Sequence, residues 1–143
     1  MLHRLPSPTG DIAVLIGRVL LGVILLAHGL QKLGNGIGAT ATGFEKMGVP
    51  LPTVSALYAT VVEVVGGALL IFGAGTVIVS LLVVLDMIGA AVFVHISKGI
   101  FAASGGWELV GVIAAAALVL AGTGAGRYSI DQALVARRSK ASA

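Results

Sequence analysis

Apolar residues fall in four long runs, from Ile12 to about Leu33, about Val54 to Phe72, Thr76 to Ile96, and Trp107 to about Ala121. At 1.5 Å per residue, about 20 residues cross the hydrocarbon core of a bilayer, so each run is read as a spanning helix. The fourth is the shortest and is rich in alanine. Between the second and third, Gly73-Ala74-Gly75 leaves room only for a tight turn, which makes those spans antiparallel neighbours. The expected fold is therefore all-α: an integral membrane four-helix bundle in one domain covering 1–143, with short loops and a basic tail over 127–143.

The first loop departs from this economy. Residues 34–53 are rich in Gly, Thr and Pro and carry a small amphipathic patch at Phe44, Met47 and Val49, which places the segment partly at the membrane interface. Ala39-Thr40-Ala41 has the spacing of a signal-peptidase site, yet it lies beyond the apolar run, and Arg18 sits inside what would be the signal's apolar core. The chain is thus read as uncleaved.

Composition narrows the classes further. Of 143 residues, 57% are hydrophobic and 10% charged, against about 25% charged in an ordinary soluble domain. The net charge is +3, but the basic residues form no stripe interleaved with aromatics, so no nucleic-acid surface is expected. Arg4, Arg127, Arg137, Arg138 and Lys140 fall on the side of the termini, against Lys32, Lys46 and Lys98 on the other. The positive-inside rule then predicts cytoplasmic termini.

Inside the spans stand Arg18, His28, Glu63, Asp86 and His95, with Lys32, Lys98 and Glu108 near their ends. A charge at the bilayer centre costs about 2.5–3.5 kcal/mol on insertion scales, so each such group needs a partner, a wet cavity or a role. Antiparallel placement puts Arg18, Glu63 and Asp86 in one layer about 13–20 Å below the outer surface. His28, His95, Glu108, Lys32 and Lys98 form a second layer near that surface. Helical phase turns Arg18, Gly22, Gly29 and Lys32 to one side of the first span, with His28 more oblique. On the second span Ala56, Ala59, Thr60, Glu63, Gly66 and Gly67 form a small-residue stripe, and Glu108, Gly111, Ala115 and Gly122 form another on the fourth. His95, nine residues after Asp86, falls on the opposite face of an ideal helix, so either the helix end unwinds or His95 faces headgroups or another subunit.

Arg18 is expected to pair with Glu63 or Asp86, as structural glue or as part of a proton-handling site. With one cation for two carboxylates, one of them is expected to hold or share a proton. His28 is either a packing residue or a group that meets a ligand from the outer leaflet, and Glu108 either complements a helix dipole or joins it. Trp107, Tyr58 and Tyr128 are read as interface anchors. Several chemistries find no template. No Glu has a His three residues on, as four-helix di-iron sites need; His28 and His95 do not share a face to clamp a haem or metal; and no phosphate loop, flavin motif or Ser/His/Asp arrangement is present. No metal site is expected, and with no Cys, any thiol chemistry belongs to a partner.

The stretch RVLLGVILLAHGLQKLG from Arg18 to Gly34 resembles the first span of the DoxX family of small bacterial membrane proteins. GFEKMGVPLP (43–52), VVEVVGGALLIFG (61–73), GGWELV (105–110) and GAGRYSID (124–131) agree in order, so the resemblance covers nearly the whole chain. The positions matching the family's motif are Arg18, Gly22, His28, Gly29, Lys32, Glu63, Gly66, Gly67, Gly106, Glu108 and Asp131. The resemblance implies a multi-pass protein of the bacterial cell membrane, related to the DoxD subunit of thiosulfate:quinone oxidoreductase. It also implies soluble thiol, sulfur or oxidative-stress partners, as in a mycobacterial complex with superoxide dismutase and a sulfurtransferase. Three functions follow as expectations. The first is a quinone-linked redox subunit in which Glu63, Arg18 and Asp86 act with protons while His28, Lys32, Glu108 and His95 meet the ligand. The second is a membrane scaffold for redox proteins, held through the basic tail. The third is a small proton-coupled transporter working as a homo-oligomer.

Overall fold

The computed structural model describes residues 7–141, so Arg4, part of the charge asymmetry above, lies outside the described residues. Helix α1 covers Ser7–Asn35, α2 Ile37–Lys46, α3 Pro52–Phe72, α4 Thr76–Lys98, α5 Glu108–Thr123 and α6 Ile130–Ala141. The four apolar runs are α1, α3, α4 and α5, each extending a little beyond or shifting by a residue or two from its predicted bounds. The first three are long and apolar enough to span a bilayer, and α5 is a shorter apolar helix. Leu20, Ile78, Leu85, Val112 and Val119 are more than half exposed, presenting to lipid the surface that a soluble protein would bury.

Two seams hold the bundle, and they are built differently. Along α1 and α3 the backbones touch: a Cβ on Gly22 would lie 2.6 Å from the Gly67 carbonyl oxygen, and one on Gly29 would lie 2.7 Å from the Val64 nitrogen. The predicted stripe on α3 is all buried, with Ala56 at 0% exposure and Glu63 at 4%. Along α4 and α5 the contact is made by larger side chains, with Val83, Met87, Ile113 and Ala117 in one core cluster. Here the sequence expectation is corrected. The buried face of α5 is Val110, Ile113, Ala117 and Leu120, while Ala115 and Gly122 are exposed and Gly111 is only partly covered. The two candidate faces lie two residues, or about 200°, apart, and α4 offers bulky apolar groups that are better filled by Val, Ile and Leu than by glycine.

Both ends of the bundle are closed by local chemistry. Gly73, at φ 69°, ends α3 in the left-handed conformation, its N–H donating to the Leu70 carbonyl and that of Ala74 to Leu69. Helix α6, which the tail reading did not anticipate, starts where the Ser129 hydroxyl accepts from the Gln132 N–H. At the opposite end α2 packs beside α3, giving the first loop a helix around the Phe44 patch. Ala39-Thr40-Ala41 lies within this helix, with Ala41 buried.

Candidate functional site

Two wide, π-helical turns interrupt the spans, Val62–Gly66 in α3 and Ala91–His95 in α4. Such turns wind more slowly than an α-helix and redirect the side chains that follow. The first holds Glu63. The second resolves the open question over His95: the end of α4 does unwind, and His95 turns inward, its Nδ1 donating to the Gly105 carbonyl at 2.7 Å.

These turns border a cavity of about 340 Å³ between α1, α3, α4 and α5, roofed by α2 and the 99–107 loop. Leu25, Phe44, Val49, Phe93, Val110 and Ile113 make much of its wall apolar, while His28, Lys32, Glu63, Asp86 and His95 supply polar groups. Its size lies near the lower end of the about 300–1,000 Å³ usual for small-molecule sites. The Lys32 ammonium pairs with the Glu63 carboxylate at 2.5 Å, crossing from α1 to α3 where Gly29 lets the backbones meet. Asp86 is nine-tenths buried, and its Oδ2 has no hydrogen-bond partner among the described residues. The His28 Nδ1 donates to the Ile24 carbonyl at 2.9 Å.

The structure thus brings together five of the seven predicted site residues and separates two. Arg18 does not meet Glu63 or Asp86. It is 1% exposed at the far end of α3, where its guanidinium donates to the carbonyls of Leu70, Ile71 and Tyr128. The shared layer fails because a guanidinium satisfies the open carbonyls of a helix C-terminus better than a distant carboxylate does. Glu63 finds Lys32 instead, so the two predicted layers are corrected to one mixed polar cluster. Glu108 is the second displaced residue. Its Oε1 accepts from the Ala102 N–H at 2.6 Å, folding the 99–107 loop onto the start of α5, and it does not line the cavity.

Tyr58, read from sequence as an interface anchor, lines the cavity and donates its hydroxyl hydrogen to the Leu82 carbonyl at 2.8 Å. Ser55 also lines it, donating to the Pro50 carbonyl at 2.7 Å. Five residues before Glu63 is about 140° away on an ideal helix, so helical phase gave no signal for Tyr58. Among the described residues no three His, Asp or Glu side chains converge as a metal ion would require.

Outside the spans, Asp131 organises the other end. Its carboxylate accepts from the N–H groups of Gly75 and Thr76 at 2.7 and 2.9 Å, and its own N–H donates to the Gly73 carbonyl. Partial burial pushes this carboxyl up, but the two backbone donors and the nearby Arg18 outweigh it and hold it below its ordinary value.

Comparison with known proteins agrees with this architecture. The DoxX family model matches residues 13–96. The chain is 29% identical to "Uncharacterized membrane protein Rv3486" of Mycobacterium tuberculosis over 94% of this chain and 88% of that one. It is 30% identical to "Inner membrane protein YphA" of Escherichia coli over 85% and 89%. A shorter match, 37% identical over 60% of this chain and 62% of the relative, is to "Putative oxidoreductase CatD" of Bacillus subtilis. No solved structure matches.

Proposed function

Since the chain belongs to the DoxX family of membrane proteins, we propose that it is the membrane subunit of a redox system, and that its cavity receives the head of a lipid-soluble quinone. The observation that carries this reading is the buried, unpartnered Asp86 carboxyl beside the Lys32–Glu63 pair in an otherwise apolar cavity between the spans. An apolar wall suits a ring and its tail, and the polar groups suit the ring's oxygens. In this reading Asp86 exchanges a proton with a bound head group, while Lys32 offers charge-assisted hydrogen bonds and Glu63 holds Lys32 in place. A quinone, when bound, supplies the two-electron chemistry; with no cysteine and no flavin motif in this sequence, we assign the other half of the electron transfer to a partner.

Arg127, Arg137 and Lys140 lie at the end away from the cavity, so cytoplasmic termini would open the cavity toward the outer half of the membrane. The absence of native cysteines makes single introduced cysteines a direct test of this orientation, by impermeant labelling of intact cells. One feature favours a second, compatible reading as a scaffold: α6 has no buried residue yet is fastened to the bundle through Asp131, with Arg137 and Lys140 exposed.

The deciding experiment is purification from native membranes in mild detergent, with bound lipophiles identified by mass spectrometry for wild type and Glu63→Gln. Stoichiometric quinone in the wild type, lost from a well-folded variant, is the expected result. Bulk phospholipid alone in both would sink the quinone reading and favour the scaffold.

A further inference from the structure

The hydrogen-bonding groups of the cavity are unequally available. A backbone carbonyl only accepts, so the Nδ1 atoms of His28 and His95, facing the carbonyls of Ile24 and Gly105, must carry the ring hydrogen. In each neutral imidazole Nε2 is then a lone pair, and neither Nε2 has a partner among the described residues. Tyr58 and Ser55 have likewise given their hydroxyl hydrogens to the carbonyls of Leu82 and Pro50, leaving only oxygens that accept. Asp86 accepts through both oxygens when ionised; when protonated it carries one O–H donor and keeps one accepting oxygen. Lys32 alone among the described cavity side chains is a standing donor, and it is drawn to Glu63.

What the wall lacks is hydrogens, and a ligand that supplies them satisfies it. While Asp86 is ionised, the dione form of a quinone, which brings two accepting oxygens and no donor, meets Lys32 with one at best and lone pairs with the other. The dihydroxy form brings two O–H groups, each able to donate to Asp86 or an imidazole Nε2. A buried acceptor left facing an acceptor carries the full desolvation penalty, and sites built to hydrogen-bond a hydroxyl discriminate strongly against analogues lacking it. Resting on the quinone reading above, we propose that this cavity, with Asp86 ionised, selects the reduced, dihydroxy form of a quinone-type ring over the oxidised dione. Asp86 and the two imidazoles receive its hydroxyl hydrogens.

The test uses the full chain in lipid nanodiscs, with partition into empty nanodiscs subtracted. Three probes are compared at equilibrium: a decyl-substituted benzohydroquinone kept reduced, the corresponding benzoquinone, and the hydroquinone dimethyl ether. The hydroquinone is expected to bind at least about 10-fold tighter than the benzoquinone, with the dimethyl ether no better than the benzoquinone. Asp86→Asn, which puts an N–H donor in place of an accepting oxygen, is expected to narrow that ratio. Equal or tighter binding of the benzoquinone, or a dimethyl ether as good as the hydroquinone, overturns the selection while leaving a quinone site standing. Binding of none of the three overturns both this inference and the quinone reading. The wild-type comparison decides the matter even where the Asn variant does not fold.

Discussion

Arg18 and Lys32 are both cations on α1, about 21 Å apart along the helix, yet their surroundings differ in kind. At the Arg18 end the charged groups meet backbone. Its guanidinium covers carbonyls at the end of α3, and the Asp131 carboxylate covers N–H groups at the start of α4. Cation at a helix C-terminus and anion at a helix N-terminus are the pairings the helix dipoles favour. At the Lys32 end the charged groups meet side chains across helices and border a cavity, with one carboxyl oxygen unpartnered. The first arrangement closes a turn. The second leaves chemistry available, which is why a count of buried charges alone does not locate a site.

The comparison is most exposed to failure at Arg18. Arg18→Met removes the donors of the Ile71 and Tyr128 carbonyls and is expected to destabilise the protein by about 2–5 kcal/mol, read as a lowered melting temperature in detergent. Arg18→Lys should rescue little, because a single ammonium cannot reproduce the planar fork. A variant that melts like the wild type would show that this end is held without its guanidinium.

Next in size is Gly29→Ala, whose Cβ would sit 2.7 Å from the Val64 nitrogen. Forcing α1 from α3 is expected to cost about 1–3 kcal/mol and to loosen the Lys32–Glu63 pair, so ligand binding and melting temperature should fall together. Glu63→Gln should separate those readouts. The Lys32 side chain is 23% exposed and regains water, so stability should fall by less than the about 3–5 kcal/mol of a fully buried broken pair, while bound lipophile is lost.

The smallest effect belongs to Asp131→Asn, at about 0.5–2 kcal/mol for a weakened cap. Its pH dependence is the sharper signature. The carboxyl lies below its ordinary value in the folded protein, so its contribution is present above the unfolded pKa of about 4 and is lost as pH falls through the folded value. Wild type and variant should therefore differ in melting temperature at neutral pH and converge in acid.

The four apolar helices, the turn at 73–75 and the glycine face of α3 were legible because hydrophobic run length and helical phase are local properties. The five polar residues that line the cavity stood out for the same reason, as polar groups stranded in or beside apolar runs. The pairing of Arg18 was not, because its partners are carbonyls, which every residue carries and no side-chain pattern marks. The inward face of α5 was hidden too. Glycine stripes signal close approach only where the facing helix also offers small residues, and α4 offers Val83 and Met87.

The sequence by itself determined that the chain is helical, membrane-embedded and burdened with charges needing an explanation, since those follow from run length, hydropathy and the cost of a charge in hydrocarbon. Only the tertiary structure decided which charges answer one another. The π-helical turn at the end of α4 resets the phase that an ideal helix would have kept and turns His95 inward, while the close approach of α1 and α3 at Gly29 seats Glu63 opposite Lys32. Distances between side chains on different helices depend on such small rotations, and a one-dimensional pattern does not carry them.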